Sequence, residues 1–284
     1  MWLEFAKMHG LGNHFMVVDL VTQQCEITPE RVRAWGDRNT GVGFDQLLLI
    51  EPPTDPEADF RLRIFNTDGS EAKQCGNGAR CVAWYVANRR LSPKPELVLQ
   101  TLGGPTTTRL VDEHTAEVDM GEPRTRPGDI PFRADDRAVA PVAGQTATYE
   151  ITLNGAPCRF TTVSMGNPHA VLFVDSAADA PVETVGPSLV GHPLFPEGAN
   201  IGFCEVVDPA FVRLRVFERG VGETRACGSG ACAAVAAARL LDRVGPRVKV
   251  SLPGGKVRIA WQGPGSTVRM TGPATLVFEG RIGV

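Results

Sequence analysis

One short phrase occurs twice in this chain of 284 residues: Cys75-Gly76-Asn77-Gly78-Ala79 and Cys227-Gly228-Ser229-Gly230-Ala231, 152 positions apart. The same offset relates Arg61-Leu62-Arg63-Ile64-Phe65 to Arg213-Leu214-Arg215-Val216-Phe217. Further matches follow in the same order. Gly12-Asn13-His14 leads to Val17-Val18-Asp19, and Gly166-Asn167-Pro168-His169 leads to Phe173-Val174-Asp175. Val42-Gly43-Phe44 matches Ile201-Gly202-Phe203, Leu102-Gly103-Gly104 matches Pro253-Gly254-Gly255, and Val118-Asp119-Met120 matches Val268-Arg269-Met270. Any one of these is chance; the set, in order, implies two homologous halves. Whatever one half folds into, the chain must build twice. The length suits two domains of about 140 residues each.

The expected boundaries are 1–122 and 123–272, with a last strand, 273–284, returning to the first half. Between the halves, residues 121–145 carry prolines at 123, 127, 131 and 141 and several charges, and they read as a linker with little structure. With 31 glycines and 22 prolines the chain has too many breakers for a helix bundle. Arg61–Phe65 and Val248–Leu252 alternate polar and apolar as half-buried strands do, and the Gly-Gly pairs at 103–104 and 254–255 mark hairpin turns. A helix is expected after each cysteine, over about Ala79–Arg89 and Ala231–Arg243. The second, Ala-Cys-Ala-Ala-Val-Ala-Ala-Ala-Arg-Leu-Leu, is apolar on nearly every face and so must be buried. The expected fold class is therefore α/β (α+β). It comprises two pseudo-symmetric domains, each a curled, mostly antiparallel sheet or barrel around one central apolar helix.

Net charge is −3, which leaves no electrostatic footprint for nucleic acid. No apolar run reaches the roughly 18–20 residues that span a bilayer. Glu4 and Lys7 stand where a signal peptide would be apolar, so a cytoplasmic protein away from membranes is expected. Seven cysteines are an odd number for a disulfide framework. Neither Cys75–Cys81 nor Cys227–Cys232 has the spacing of a zinc knuckle, and His9, His14, His114, His169 and His192 form no His-x3-His pair. No metal site is expected, and the thiols should be reduced: buried as small hydrophobes or chemically active.

A cysteine at a helix N-terminus faces the positive end of the macrodipole and backbone N–H groups without intrahelical partners, both of which favour a thiolate. Around it, the amides of Gly76, Asn77, Gly228 and Ser229 can donate to an anion such as a carboxylate. Two such cysteines, facing each other where the halves meet, would offer a base on one face of a bound carbon and an acid on the other. Inverting a stereocentre needs that arrangement, and preorganised N–H donors stabilise the carbanion formed beside a carboxylate. A single Cys-Gly-x-Gly before a helix would be read as a structural cysteine at a tight turn. Its duplication in two diverged halves reverses that preference. Cys81 and Cys232, inside the apolar helices, fit a packing role, and nothing raises Cys25, Cys158 or Cys204 above it.

The wider motifs are Lys7-Met8-His9-Gly10-Leu11-Gly12-Asn13, Gly41-Val42-Gly43-Phe44-Asp45-Gln46, Phe65-Asn66-Thr67-Asp68-Gly69-Ser70 and Cys75-Gly76-Asn77-Gly78-Ala79-Arg80-Cys81. The second half adds Gly166-Asn167-Pro168-His169-Ala170, Gly198-Ala199-Asn200, Glu218-Arg219-Gly220 and Ala226-Cys227-Gly228-Ser229-Gly230-Ala231. With these the sequence resembles the diaminopimelate epimerases, which work without pyridoxal phosphate in lysine and cell-wall biosynthesis. The resemblance implies conversion of LL-2,6-diaminopimelate to meso-2,6-diaminopimelate without a cofactor, with Cys75 as proton donor and Cys227 as proton acceptor. It implies support for the thiols from His169 and Glu218. It also implies substrate binding by Asn13, Gln46, Asn66, Asn167, Asn200, Glu218 and Arg219 with the amides of Gly76, Asn77, Gly228 and Ser229. A cytoplasmic homodimer is implied as well, although Phe278 stands where some members place a tyrosine linked to the dimer contact.

Taken alone, His169 reads as a satisfied histidine after a turn, Glu218-Arg219 as a surface ion pair, and the asparagines as turn residues. Two rival functions remain at this level. A proline or hydroxyproline racemase would share the cysteine chemistry but leave Asn66, Asn200 and Arg219 without a purpose. A two-lobed amino-acid binding protein would need the amides but not the thiols.

Overall fold

The computed structural model describes residues 2–134, 140–144 and 146–284. It is mixed α/β, mostly β, with four α-helices among the described residues. Two units emerge: Met1–Asp119 with Thr271–Val284, and Met120–Met270.

In the first unit, β1 (Trp2–Gly10) and β2 (Asn13–Asp19) form an antiparallel hairpin in which Gly10 pairs with Asn13. The two residues between them, Leu11 and Gly12, both have positive φ (58° and 83°), the backbone a two-residue hairpin loop requires. Asn13 is thereby fixed at the first position of β2. After α1 (Pro29–Gly36), β3 (Gln46–Glu51) runs parallel to β2 with Phe15 opposite Gln46. β4 (Phe60–Asn66) returns antiparallel, with Leu47 opposite Phe65 and Gln46 opposite Asn66. β5 (Glu71–Ala72) pairs with the end of β4, and the chain then enters α2 (Gly76–Asn88). β6 (Glu96–Thr101) lies parallel to β4 and continues antiparallel into β7 (Gly104–Asp112) and β8 (Thr115–Asp119).

In the second unit, β9 (Ala140–Pro141) pairs with β10 (Thr148–Leu153), which pairs with β11 (Ala156–Ser164), and β11 pairs with β12 (Pro168–Phe173). After α3 (Val182–Val190), β13 (Asn200–Asp208) runs parallel to β12 with His169 opposite Asn200. β14 (Phe211–Glu218) returns with Ile201 opposite Phe217, followed by β15 (Gly222–Thr224) and α4 (Gly228–Leu240). β16 (Arg247–Leu252) lies parallel to β14 and turns into β17 (Gly255–Ala260). β18 (Arg269–Pro273) leads out of this unit, and β19 (Thr275–Gly283) pairs antiparallel with β1, from Trp2 opposite Gly283 to His9 opposite Thr275. From β1 to β8 and from β11 to β18 the order of strands and helices is the same.

The short strand ahead of each cysteine is held by the same clamp. Arg63 on β4 makes two 3.0 Å hydrogen bonds to the Glu71 carboxylate on β5. Arg215 on β14 makes the equivalent pair to Glu223 on β15, at 2.6 and 2.8 Å. Bidentate geometry fixes direction as well as distance. At these partly exposed sites each pair is worth at most about 1 kcal/mol, so its contribution is register more than stability.

Several expectations need correction. The helices begin three residues earlier than propensity suggests, at Gly76 and Gly228, because the cysteine side chain caps a turn that glycine would otherwise disfavour. They end at Asn88 and Leu240, where Arg90 (φ 55°) and Asp242 (φ 53°) take the left-handed conformation. The amides of Leu91 and Arg243 then close back on the carbonyls of Val86 and Ala238, a Schellman closure without glycine. Val42-Gly43-Phe44 precedes β3 whereas Ile201-Gly202-Phe203 lies inside β13, so that match between the halves is not a structural equivalence. Helices α1 and α3 were not expected. Pro29 at the first turn and Thr28 as its cap were a readable start signal, while α3 lacks a side-chain cap and contains Pro187.

Residues 121–145 are also more than a linker. Ile130 and Phe132 are buried in the core of the second unit, where the Phe132 ring lies 4.8 Å from Tyr149, 5.0 Å from Phe195 and 5.8 Å from Phe160. The prolines around them hid two apolar anchors. Positions 135–139 and 145 of that stretch lie outside the described residues.

The all-round apolar character of α4 has its expected consequence. Ala231, Cys232, Ala233, Ala234, Ala236, Ala237 and Ala238 are fully buried, and the helix packs against β11, β12, β13, β14 and β17. Small side chains let strands approach on every side, so there is no spare volume. Replacing Ala234 by Leu is expected to cost about 1–3 kcal/mol by overpacking. It should lower the urea midpoint at unchanged m-value; an unchanged midpoint would show slack around α4.

Candidate active site

Both cysteines are N-caps. Cys75 (φ −150°, ψ 105°) and Cys227 (φ −112°, ψ 107°) have extended backbone. Each Sγ accepts from the third amide of its helix, Gly78 and Gly230, at 3.4 Å. Gly76 and Asn77, like Gly228 and Ser229, supply the first two amides of α2 and α4, which have no carbonyl partner within a helix. A small side chain is needed one residue later. A Cβ at position 230 would lie 3.1 Å from the Cys227 sulfur, and one at position 78 would lie 2.9 Å from Leu48 Cδ2.

Around Cys75 the first unit assembles Asn13, Asn77 and a residue the sequence reading passed over, Asp45. Asn13 Oδ1 is 4.0 Å from Cys75 Sγ and accepts from Asn77 Nδ2 at 3.3 Å. Asn13 Nδ2 donates to Asp45 Oδ2 at 3.1 Å, and the His14 amide donates to the same oxygen at 2.7 Å. Arg38 holds the other carboxylate oxygen at 2.5 Å. Asp45 stood inside a quoted motif, but a carboxylate whose role is to hold an asparagine has no signature in sequence. The next residue, Gln46, donates through Nε2 to Asn66 Oδ1 at 3.0 Å, and Asn66 Nδ2 donates to Ser70 Oγ at 3.0 Å. Asn66 is therefore a turn asparagine as well as a candidate ligand.

Around Cys227 the second unit assembles Ser229, Asn167, His169 and Glu218. Ser229 Oγ lies 3.6 Å from Cys227 Sγ, and Asn167 Nδ2 donates to that hydroxyl at 3.4 Å. His169 Nε2 is 3.1 Å from Asn167 Oδ1. Thr224, also unforeseen, donates its hydroxyl to Glu218 Oε1. Asn200 Oδ1 accepts the Arg219 amide at 2.9 Å, and the Arg219 guanidinium donates to the Glu197 carbonyl. Asn200 is thus bonded to the Arg219 backbone.

Electrostatics correct one expectation directly. The helix N-terminus was expected to lower the thiol pKa, yet Cys227 is only 4% exposed and its pKa lies well above the ordinary value. Burial is the largest cause and the Glu218 carboxylate adds to it, while Ser229 and the Gly230 amide oppose both. Cys227 therefore rests as a thiol in this conformation. Cys81 and Cys204, pushed up to about 12 by burial, are inert packing thiols, and Cys232 is fully buried in α4. His169 is 1% exposed, and burial takes its pKa down to about 3, so it is neutral and cannot relay protons by charging. Among the described residues no group of three or more His, Cys, Asp or Glu side chains is placed to hold a metal ion, and no helix is long and apolar enough to cross a membrane.

For a histidine lowered to about 3, the unfolded chain binds a proton below about pH 6.5 while the folded chain does not. Its contribution to stability therefore declines as pH falls through that window. The His169 ring resonance, assigned by comparison with H169Q, should stay at its neutral position from about pH 8 to about pH 5. A midpoint near 6.5, the free-histidine value, would refute its burial in neutral form.

The family model described as Diaminopimelate epimerase matches residues 5–126 and 161–277. A protein of Pseudomonas paraeruginosa named Diaminopimelate epimerase is 52% identical over 282 residues, covering 99% of each chain. One of the same name from Stutzerimonas stutzeri is 51% identical with the same coverage. Among solved structures, a hydroxyproline epimerase from Agrobacterium vitis with bound trans-4-OH-L-proline superposes with a TM-score of 0.69 at 16% identity, covering 99% of this chain and 92% of that one. At that identity the likeness is one of fold.

Proposed function

The chain belongs to the diaminopimelate epimerase family, and on that premise we propose that Cys75 and Cys227 are its acid–base pair. The reaction is the epimerisation of LL-2,6-diaminopimelate to the meso isomer, an isomerase step in lysine biosynthesis. The observation that carries the residue assignment is that each unit presents one thiol as the cap of a helix N-terminus, beside asparagine and serine side chains.

In the LL to meso direction, Cys227 takes the α-proton as thiolate and the Cys75 thiol returns one from the opposite face. The cysteines exchange roles in reverse, and no cofactor is needed. Because Cys227 rests as a thiol, its proton must leave first, and the bordering Glu218 carboxylate is the group to take it. Removing the α-proton drives charge onto the neighbouring carboxylate. The amides of Gly76, Asn77, Gly228 and Ser229 meet that charge as preorganised donors. Arg219 suits the far carboxylate of a substrate with two amino-acid ends. The amides of Asn13, Gln46, Asn66, Asn167 and Asn200 can serve either donors or acceptors on the substrate. His169 holds Asn167, a supporting role that needs no change of charge.

We read the two units as the two epimerase halves, built on one duplicated plan. A cytoplasmic homodimer is our reading of the assembly. In its favour, the paired strands β1 and β19 leave large apolar side chains in solvent, Trp2 at 69% and Phe278 at 47% exposed.

Proton NMR in heavy water tests the proposal, with LL-diaminopimelate in one tube and L-proline in another. The meso isomer carrying deuterium at one α-carbon is expected in the first tube only. C75S and C227S keep a side chain that caps the helix, so both should fold, yet each should lose at least about a thousandfold in turnover. Epimerisation surviving in either variant at near wild-type rate would remove that cysteine from the mechanism, and exchange in the proline tube alone would change the substrate.

A further inference from the structure

We infer that Asp45 is a positioning residue: it turns the Asn13 amide so that its oxygen faces Cys75, and so holds Cys75 in its proton-donating form. The inference rests on the reading of Cys75 as an acid. An ionised carboxylate only accepts hydrogen bonds. Asp45 is itself anchored by the His14 amide at 2.7 Å and the Arg38 guanidinium at 2.5 Å, so it cannot swing away to suit Asn13. Asn13 must therefore present Nδ2 to Asp45, at 3.1 Å, and Oδ1 to the helix side. There Oδ1 takes a hydrogen bond from Asn77 and lies 4.0 Å from Cys75 Sγ. An amide oxygen facing sulfur can be satisfied by S–H and repels S⁻.

The second unit makes the contrast. By the shared register of β2 with β3 and of β12 with β13, Asn13 corresponds to Asn167, Gln46 to Asn200 and Asp45 to Ala199. Where the first unit has a carboxylate, the second has a methyl group. Asn167 is held from another direction, by His169 Nε2 on its oxygen, so its Nδ2 faces the helix and donates to Ser229. Accepting from Asn167 leaves the Ser229 hydroxyl hydrogen available to Cys227 Sγ, 3.6 Å away, alongside the Gly230 amide. Equivalent asparagines thus point in opposite senses. One places an acceptor at Cys75, and the other arranges donors at Cys227. One duplicated plan therefore yields an acid in one half and a base in the other.

The remaining charged and titratable groups around Asp45 are Lys7 and His9 on β1, His14 on β2 and Arg38 after α1. Removing the Asp45 charge would by itself ease ionisation of a nearby thiol, so the test must separate charge from orientation. The pH midpoint of Cys75 alkylation by iodoacetamide, read by mass spectrometry on the Cys75 peptide, is measured in wild type, D45N, N13A and the double variant. If Asp45 acts by holding Asn13, D45N lowers the midpoint by about one pH unit, the size of one hydrogen bond to a charged group. In the N13A background the same substitution then changes it by much less. Equal shifts in both backgrounds would leave only a direct charge effect, and no shift in either would remove Asp45 altogether; each outcome overturns the inference. D45A, which copies Ala199, gives the same comparison should D45N not fold. Alkylation reads the thiol without turnover, so this result stands apart from whether C75S abolishes epimerisation.

Discussion

Sulfur closes the first turn of α2 and of α4, and the arrangement of each unit around its candidate site follows from that contact. A helix that opens Gly-Asn-Gly or Gly-Ser-Gly is a poor helix on propensity, since each glycine costs up to about 1 kcal/mol relative to alanine. The second glycine of each, Gly78 or Gly230, is needed because a side chain there would meet Leu48 or the Cys227 thiol. The cap is what makes such an opening possible, and it fixes the sulfur beside the first amides of the helix. Upstream, the arginine–glutamate clamps Arg63–Glu71 and Arg215–Glu223 deliver the chain to the cap in the same register in both units.

Much of this was legible in the sequence. The repeat located the two cysteines and the helices behind them, and the alanine-rich α4 is buried as its composition required. What stayed hidden has physical reasons. Helix starts were misplaced because a sulfur cap is not among the ordinary start signals. Ile130 and Phe132 were masked by the prolines and charges around them, although their rings and chains anchor the core of the second unit. The pairing of Phe44 with Phe203 was a coincidence of composition that only strand register could expose. The depressed thiol pKa expected from the helix dipole failed at Cys227, where burial and a neighbouring carboxylate outweigh a partial charge. Asp45 went unnoticed because its partners, Asn13, His14 and Arg38, are distant or unremarkable in the chain and meet only through the β2–β3 pairing.

The differences between the halves are as informative as their likeness. Equivalent positions hold Gln46 and Asn200, Asn66 and Glu218, Asn77 and Ser229, Asp45 and Ala199. Backbone plan, caps and clamps are shared, while the polar residues that touch or brace the thiols have diverged. Such divergence needs only a handful of side chains, because the backbone already delivers one thiol and two helix-opening amides in each. Glu218 in place of Asn66 brings a carboxylate to Cys227, and His169 in place of Phe15 gives Asn167 a bracing partner that Asn13 finds in Asp45 instead.

Holding a helix by a thiol has a consequence for how such a protein drifts under selection. Serine and aspartate are better N-caps than most residues, and either would suit positions 75 and 227 as local structure. Screening variants for heat resistance alone, without a demand for turnover, would therefore favour exchanging sulfur for oxygen there. On the assignment of Cys75 and Cys227 proposed above, a collection enriched in that way would hold well-folded chains emptied of their chemistry. On that assignment, the two cysteines mark the places where durability and usefulness pull in opposite directions.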